Sequence, residues 1–397
     1  MKFFKLEELC TDIIDCPHST PKWLNKGVPV IRNYNLNNYG INTNNLSFVD
    51  EETYINRTKR AKPEMDDIVI SREAPMGVVG MIPANFKCCL GQRLVLLKVN
   101  KQKCNPKYLL YVLTSPFVQQ QIKRIDLTGS IVSNLNIPDL KKLIIPVIEN
   151  YQDNCALFLD AIDKKIELNN KINSELEVMA KTIYDYWFLQ FEFPNEEGKP
   201  YKSAGGKMIW NDELKKEIPE GWEVNKLGDF IIENSKSSIQ VNEIKNNSNG
   251  SVPFFTSGNS IYFTNDYLVD GLNCFLNTGG NADVKIFYGK ASYSTDTWCI
   301  HFCNENFGYF SMYLNSIKNI LSIQYFQGTG LKHLQKDLLK NMKIYYPNKK
   351  VLKKFNDMIE TSYKKSSQLL IENQELISFG DFLLPLLMNG QVGFKEK

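Results

Sequence analysis

The sequence predicts a mixed α/β (α+β) chain in which two globular domains are separated by two long helices forming an antiparallel coiled coil, a pseudo-twofold tandem repeat. Three observations predict it. Residues 129–146, GSIVSNLNIPDLKKLIIP, return 199 positions later as GTGLKHLQKDLLKNMKIY, residues 328–345. A stripe of residues at heptad spacing follows each copy, and a stretch rich in Pro, Gly and charge lies between the halves. Self-similarity at a fixed offset decides the architecture before any single element does.

A chain of 397 residues exceeds one ordinary core and implies two or three domains. With 43% hydrophobic and 12% aromatic residues it is not a disordered chain, and no run of 18 apolar residues suggests a membrane span. The opening MKFFKLEELCTDIID lacks the apolar stretch of a secretory signal. Nine cysteines without a regular framework fit a reducing compartment, so a cytoplasmic protein is expected. A formal net charge of +3 is too mild to announce a nucleic-acid binder, although a local basic face can hide inside a balanced total.

Taken in order, the first half (1–150) opens on KLEEL and GVPVIRN. It continues through the strand-like runs DIVISR (67–72) and GQRLVLLKV (91–99) and an amphipathic helix over 105–122. It closes on the first copy of the repeat. The first long helix follows at 151–190, a linker at 191–221, and the second half at 222–350. That half repeats the order: NKLGDF and SVPFFTS, then NCFLN (273–277) and TWCIHF (297–302), a helix over 306–323, and the second copy. Between the copies Gly129 meets Gly328, Leu135 meets Leu334, Leu140 meets Leu339, Lys141 meets Lys340 and Ile145 meets Ile344. The second long helix occupies 351–397.

Leu159, Ile162, Ile166, Asn169, Asn173, Leu176, Ala180, Ile183 and Trp187 alternate steps of three and four, the a and d positions of a coiled coil. Two hundred residues on stand Ile359, Ser362, Ser366, Leu369, Asn373, Leu376, Gly380, Leu383 and Leu387. Each stripe corresponds to about 42 Å of helix at 1.5 Å per residue. Antiparallel pairing with a head at either end predicts Asn173 beside Asn373, a buried pair that fixes register. Heads held about one duplex turn apart suit a reader of two half-sites, roughly 10–12 base pairs centre to centre. Because the heads differ in sequence, the half-sites can differ too.

The layout is similar to that of the specificity subunit of type I restriction-modification systems. The resemblance rests on TGSIVSNLNIPDLKKLIIPV (128–147), KPYKSAGGKMIWNDELKKEIPEGWEVNKLGDF (199–230) and QGTGLKHLQKDLLKNMKIYYP (327–347). It implies two target-recognition domains and a bipartite, asymmetric double-stranded DNA site. It also implies assembly with two modification subunits, which transfer a methyl group from S-adenosylmethionine to adenine N6. Two restriction subunits using ATP and Mg usually join them. The same layout fits the specificity subunit of a type IIB or stand-alone methylation system. From another class, a tandem-domain nuclease remains the alternative.

No catalytic constellation is visible in the sequence, so a noncatalytic subunit binding no cofactor or metal itself is expected. The Asn/Asp-Pro-Pro-aromatic motif of an adenine methyltransferase is absent. Neither NTGGNADV (277–284) nor SAGGKM (203–208) joins a strand to a helix as a nucleotide-binding loop does. Glu243-Ile244-Lys245 has a nuclease-like spacing in a loop-like context. Cys299, His301 and Cys303 read as one buried strand face rather than as metal ligands, and Cys88-Cys89 as packing.

Loop-borne Arg, Lys, Asn, Gln and Ser match groove-edge groups, so they are the candidate DNA contacts. In the first head these are Lys22, Arg32, Asn33, Asn35, Lys59, Arg60 and Arg72, with Ser130 and Asn134 in the repeated segment. In the second they are Lys236, Ser257, Asn259, Asn277, Asn281, Lys332 and His333. Gly129, Gly328 and Gly330 either bring backbone near phosphate or simply make turns. Tyr184, Tyr186, Trp187 and Phe188, like Phe379, Phe382 and Leu386, either meet partner subunits or cap the helices onto the heads.

Overall fold

The computed structural model describes residues 1–37, 40–73, 75–128, 134–245, 250–303 and 305–393. They form two compact units, Met1–Lys164 with Ile377–Lys397, and Lys165–Leu376. In the first unit the chain runs β1 (Lys2–Lys5), α1 (Leu6–Leu9), β2 (Cys10–Asp15), β3 (Val28–Ile31), β4 (Ser47–Val49), α2 (Glu51–Arg57), β5 (Ile68–Ser71), β6 (Val79–Met81), β7 (Cys89–Leu90) and β8 (Leu94–Val99). Then come α3 (Pro106–Thr114), α4 (Pro116–Thr128), α5 (Ile137–Lys141), β9 (Ile144–Val147) and α6 (Gln152–Tyr184). A four-stranded sheet has the order β2-β8-β5-β6, a smaller one β4-β3-β7, and β1 pairs with β9. The helix expected over 105–122 is two helices. Ser115 is extended, and Pro116 after it disfavours helical backbone at the preceding residue.

The second unit contains β10 (Met208–Asn211), β11 (Lys216–Pro219), β12 (Glu223–Lys226), β13 (Ile232–Glu233), α7 (Val241–Lys245), β14 (Val252–Phe255), β15 (Ile261–Thr264), β16 (Leu272–Asn277), β17 (Val284–Tyr288), β18 (Ser292–Tyr293) and β19 (Thr297–His301). It continues with α8 (Phe307–Ser316), α9 (Lys318–Ile320), β20 (Phe326–Gln327), β21 (His333–Leu334), α10 (Lys336–Lys340), β22 (Lys343–Tyr346) and α11 (Lys349–Met388). Besides the two-stranded pairs β10-β11 and β20-β21, it has three sheets, β13-β19-β16-β17, β15-β14-β18 and β12-β22. Each matches a sheet of the first unit strand for strand, including the parallel pairs β3/β7 and β14/β18. The two units are therefore one topology used twice.

The identities between the repeated segments lie in these cores. Leu135, Leu140 and Ile145 are buried in the first, and Leu334, Leu339 and Ile344 in the second. The leucine spacing thus secures α5 and α10 against their sheets. Gly328 adopts a positive φ, and a Cβ there would lie 2.6 Å from the Leu331 carbonyl oxygen, so the turn needs glycine. Gly129 lies outside the described residues.

Residues 191–221, expected as a linker, are folded. Phe191, Phe193 and Ile218 join the core of the second unit, and β10 and β11 form a hairpin. The turn residues that suggest a linker serve here to reverse the chain between packed aromatic anchors. Tyr184 and Phe188 are fully buried in the same core, beside Tyr309 and Phe355, so they do not form a surface.

Both long helices bury their stripes, and their segments pair antiparallel within each unit. In the first unit a Cβ at Gly380 would lie 4.0 Å from the Ile162 side chain, and Phe158 packs on Phe379. In the second, Trp187 packs on Phe355, and Lys165 pairs with Glu372 at 3.1 Å. The central polar layer differs from expectation. Asn373 accepts a 2.9 Å hydrogen bond from Asn169 Nδ2 and donates one to Asn170 Oδ1, while Asn173 takes no part. The reason is heptad geometry. Asn173 and Asn373 are both a positions, and in an antiparallel pair an a residue faces a d residue, here Asn169. The same register sets Asn173 opposite Leu369, and the buried Asn173 Oδ1 has no hydrogen-bond partner among the described residues.

Candidate nucleic-acid interface

At one edge of the first main sheet Asp15 pairs with Val95 and Ser71 with Leu94. Loops leave the strands there, and their backbones interlock. Arg72 N–H donates to Arg93 O at 2.8 Å, Leu135 N–H to Arg72 O at 2.9 Å, and Gly91 N–H to Ile31 O at 2.7 Å. The second unit repeats all three bonds. Thr278 N–H donates to Asp296 O at 3.1 Å, Leu334 N–H to Thr278 O at 3.0 Å, and Ser294 N–H to Phe255 O at 2.9 Å. Each repeated segment therefore ties a loop to the end of a central strand. The equivalent positions carry different side chains: Arg72 and Thr278, Arg93 and Asp296, Arg32 and Thr256. One scaffold presents two different polar surfaces.

In the first head the candidates divide. Lys22, Lys59, Arg60 and Asn134 are exposed at loops or helix ends. Lys59 and Arg60 line a cleft of about 290 Å³ with Asp15 and Arg57. Arg32 is half-buried, its guanidinium carbon 4.9 Å from the ring centroids of both Trp23 and Tyr34. Ser130 lies outside the described residues.

Three first-head candidates hold the fold instead. Arg72 makes a two-pronged ion pair with Asp15 at 2.8 and 2.9 Å, and also donates to Leu135 O and Asn134 Oδ1. Its side chain is only 11% exposed. Asp15 stands 57 residues away, so the sequence gives no sign that Arg72 is engaged. Asn35 is buried and donates to the carbonyls of Asn42 and Asn45 while accepting from Arg32 N–H, which braces the loop after β3. Asn33 donates to Glu73 O at 2.6 Å and ties that loop to the one after β5. Glu73 in turn pairs with Arg93 at 3.0 Å.

In the second head, Lys236, Asn259, Asn281, Lys332 and His333 are exposed. Asn277 is buried and donates to Asn281 O at 3.0 Å, so it shapes its loop rather than facing solvent. The Ser257 hydroxyl donates to Asp296 O, and His333 pairs in β21 with Gln327. A lysine not anticipated from sequence, Lys285, clamps this edge. Its ammonium donates to Thr256 O at 2.8 Å and Gly258 O at 2.7 Å, and burial pushes its pKa down. The period-two strand pattern marks it only as a core-edge residue.

Among the described residues no cluster of three His, Cys, Asp or Glu could hold a metal ion. Burial pushes the Cys299 thiol up to about 12, and Asn234 donates to its sulfur, whereas Cys303 is exposed. Glu243 and Lys245 lie on the short helix α7 rather than in a loop, where the Glu243 carboxylate accepts from Gln240 N–H. Among the described residues no helix is long and apolar enough to cross a membrane.

Two α/β heads of one topology, each offering its own set of loop side chains, define a tandem recognition module. A family model described as the type I restriction modification DNA specificity domain matches residues 1–178 and 219–374. The chain belongs to that family and is a DNA sequence-recognition subunit. It is 28% identical over 364 residues to the type I restriction enzyme MjaIX specificity subunit of Methanocaldococcus jannaschii, covering 83% of this chain and 78% of that protein. A putative MjaX specificity subunit from the same organism is 32% identical over 120 residues, 30% of this chain and 27% of that one. The type I restriction-modification S subunit from M. genitalium shares the fold with a TM-score of 0.60 at 17% identity, covering 96% of this chain and 94% of that chain.

Proposed function

We propose that the chain is noncatalytic, that it reads a bipartite and asymmetric DNA site with one half-site per head, and that it directs adenine-N6 methylation by two modification subunits. Two restriction subunits complete the assembly when cleavage follows. S-adenosylmethionine, ATP and Mg belong to those partners in this reading.

The observation that carries it is the pair of matched strand ends with unmatched side chains. The loop side chains that reach solvent differ, with Lys22, Lys59, Arg60 and the ring-stacked Arg32 in the first head and Lys236, Asn259, Asn281, Lys332 and His333 in the second, so equal scaffolds face unequal sequences. A partner surface is supported by Phe379, Phe382 and Leu157, which are 48%, 64% and 67% exposed on the long helices. The test is methyl transfer to DNA by purified components. The modification subunits with this chain should methylate a defined site, whereas this chain alone with S-adenosylmethionine and Mg should neither methylate nor cut. Cleavage by the chain alone would overturn the proposal in favour of a nuclease.

A further inference from the structure

All six arginines, Arg32, Arg57, Arg60, Arg72, Arg93 and Arg124, lie in the first 124 residues, and the second head has none. Arginine's planar fork makes the commonest specific contact in the major groove, two parallel hydrogen bonds to guanine O6 and N7. Three of the six are engaged by partners in the chain, Arg57 and Arg72 within the fold and Arg93 at its surface. Arg57 donates to the carbonyls of Leu90, Ser19 and Pro17. Arg72 is locked onto Asp15, and Arg93 is paired with Glu73.

Arg32 is different. Its guanidinium forms no ion pair among the described residues and lies over two rings, Trp23 and Tyr34, that are themselves 38% and 51% exposed. Among the described residues its one side-chain hydrogen bond is a long one, 3.4 Å from Nη1 to the Tyr34 hydroxyl. That hydroxyl lies 3.1 Å from Ser47 Oγ, which fixes the ring. The Arg32 N–H is bound to Asn35 Oδ1, and the stem runs so close to Gly91 that a Cβ there would lie 3.1 Å from the Arg32 Cγ. The backbone and stem are thus held while most of the guanidinium donors stay uncommitted. Ordering the side chain before DNA arrives removes much of the entropy cost of binding.

We propose that Arg32 reads a guanine in one half-site, with Trp23 and Tyr34 as positioning residues; this rests on the reading of the first head as a half-site reader. At the equivalent position the second head has the buried Thr256, so the contact has no counterpart there.

The test uses the full chain assembled with its modification subunits and methylation sequencing of cellular DNA. Arg32→Lys keeps the charge and loses the fork. One guanine, in one half-site, should become tolerant of other bases, with discrimination there falling roughly 5- to 150-fold. The other half-site should stay fully required, which also shows that the variant is folded and assembled. Tyr34→Leu should loosen the same guanine to a smaller degree. A uniform loss of methylation with both half-sites unchanged would mark Arg32 as a phosphate contact and overturn the assignment. So would a target in which no guanine responds. If the parent complex methylates no defined motif, the half-site reading itself falls, and the assignment with it.

Discussion

Asn173 and Asn373 occupy equivalent places in the two stripes, yet replacing each by Leu should move stability in opposite directions. Asn373 is 7% exposed and satisfied on both sides, accepting from Asn169 and donating to Asn170 at 2.9 Å. Asn373→Leu removes two hydrogen bonds worth about 1 kcal/mol each and leaves the fully buried Asn169 amide bonded only to Glu372. Added apolar burial returns part of that, for a net loss of about 1–3 kcal/mol. Asn173 presents a buried Oδ1 without a hydrogen-bond partner among the described residues. Asn173→Leu removes this orphan and should gain about 1–2 kcal/mol. Urea unfolding of the full chain measures both. Hydrogen exchange over residues 165–184 localises the effect, since two units need not unfold together. The double variant Asn169→Leu/Asn373→Leu should recover most of the single loss, because an apolar pair has nothing left to satisfy. Equal signs for the two single variants, or a double variant no better than Asn373→Leu, would refute the register.

Arg72→Ala should lower stability by about 1–3 kcal/mol, because it leaves the partly buried Asp15 carboxylate with only the exposed His18 ring beside it, while the target sequence stays the same. A melting curve and a methylation profile together check it. Burial raises the Asp163 pKa, against the opposing hydrogen bond from the Tyr111 hydroxyl. A raised carboxyl pKa means that the native state holds its proton more tightly than the unfolded chain. Its contribution is therefore present below the ordinary carboxylate range and lost as pH rises through the raised value. Asp163→Asn should accordingly gain in melting temperature over the parent as pH rises from about 4 to about 7. Phe382→Ser should weaken association with the modification subunit by about tenfold or more without lowering the melting temperature, as co-purification and a melting curve would show.

The long-range repeat was legible because it is written in apolar residues. Leu135, Leu140 and Ile145, and their counterparts Leu334, Leu339 and Ile344, are spaced by the geometry of a short helix and a strand against a sheet, and burial enforces that spacing. The heptad stripes were legible for the same reason. The facing of the stripes was not, because a period gives each helix its buried side but not the register between helices. Polar loop residues were the least legible. Arg72, Asn35 and Asn277 have the same residue types as groove-reading side chains, and only partners distant in sequence, such as Asp15 for Arg72, show that they are engaged within the fold. The sequence shows Asp283 two residues before Lys285, 3.5 Å away in the fold, but the shorter bonds of Lys285 go to the Thr256 and Gly258 carbonyls, which leave no trace in sequence.

The central claim is that this chain confers a two-part DNA target on a methylating complex. Methylation sequencing of DNA from cells carrying the modification subunits, with and without this chain, tests it most directly. Adenine methylation should appear at one motif of two unlike half-sites around a nonspecific spacer, and only when this chain is expressed. Methylation that is identical without the chain, or a motif of a single undivided site, would contradict it.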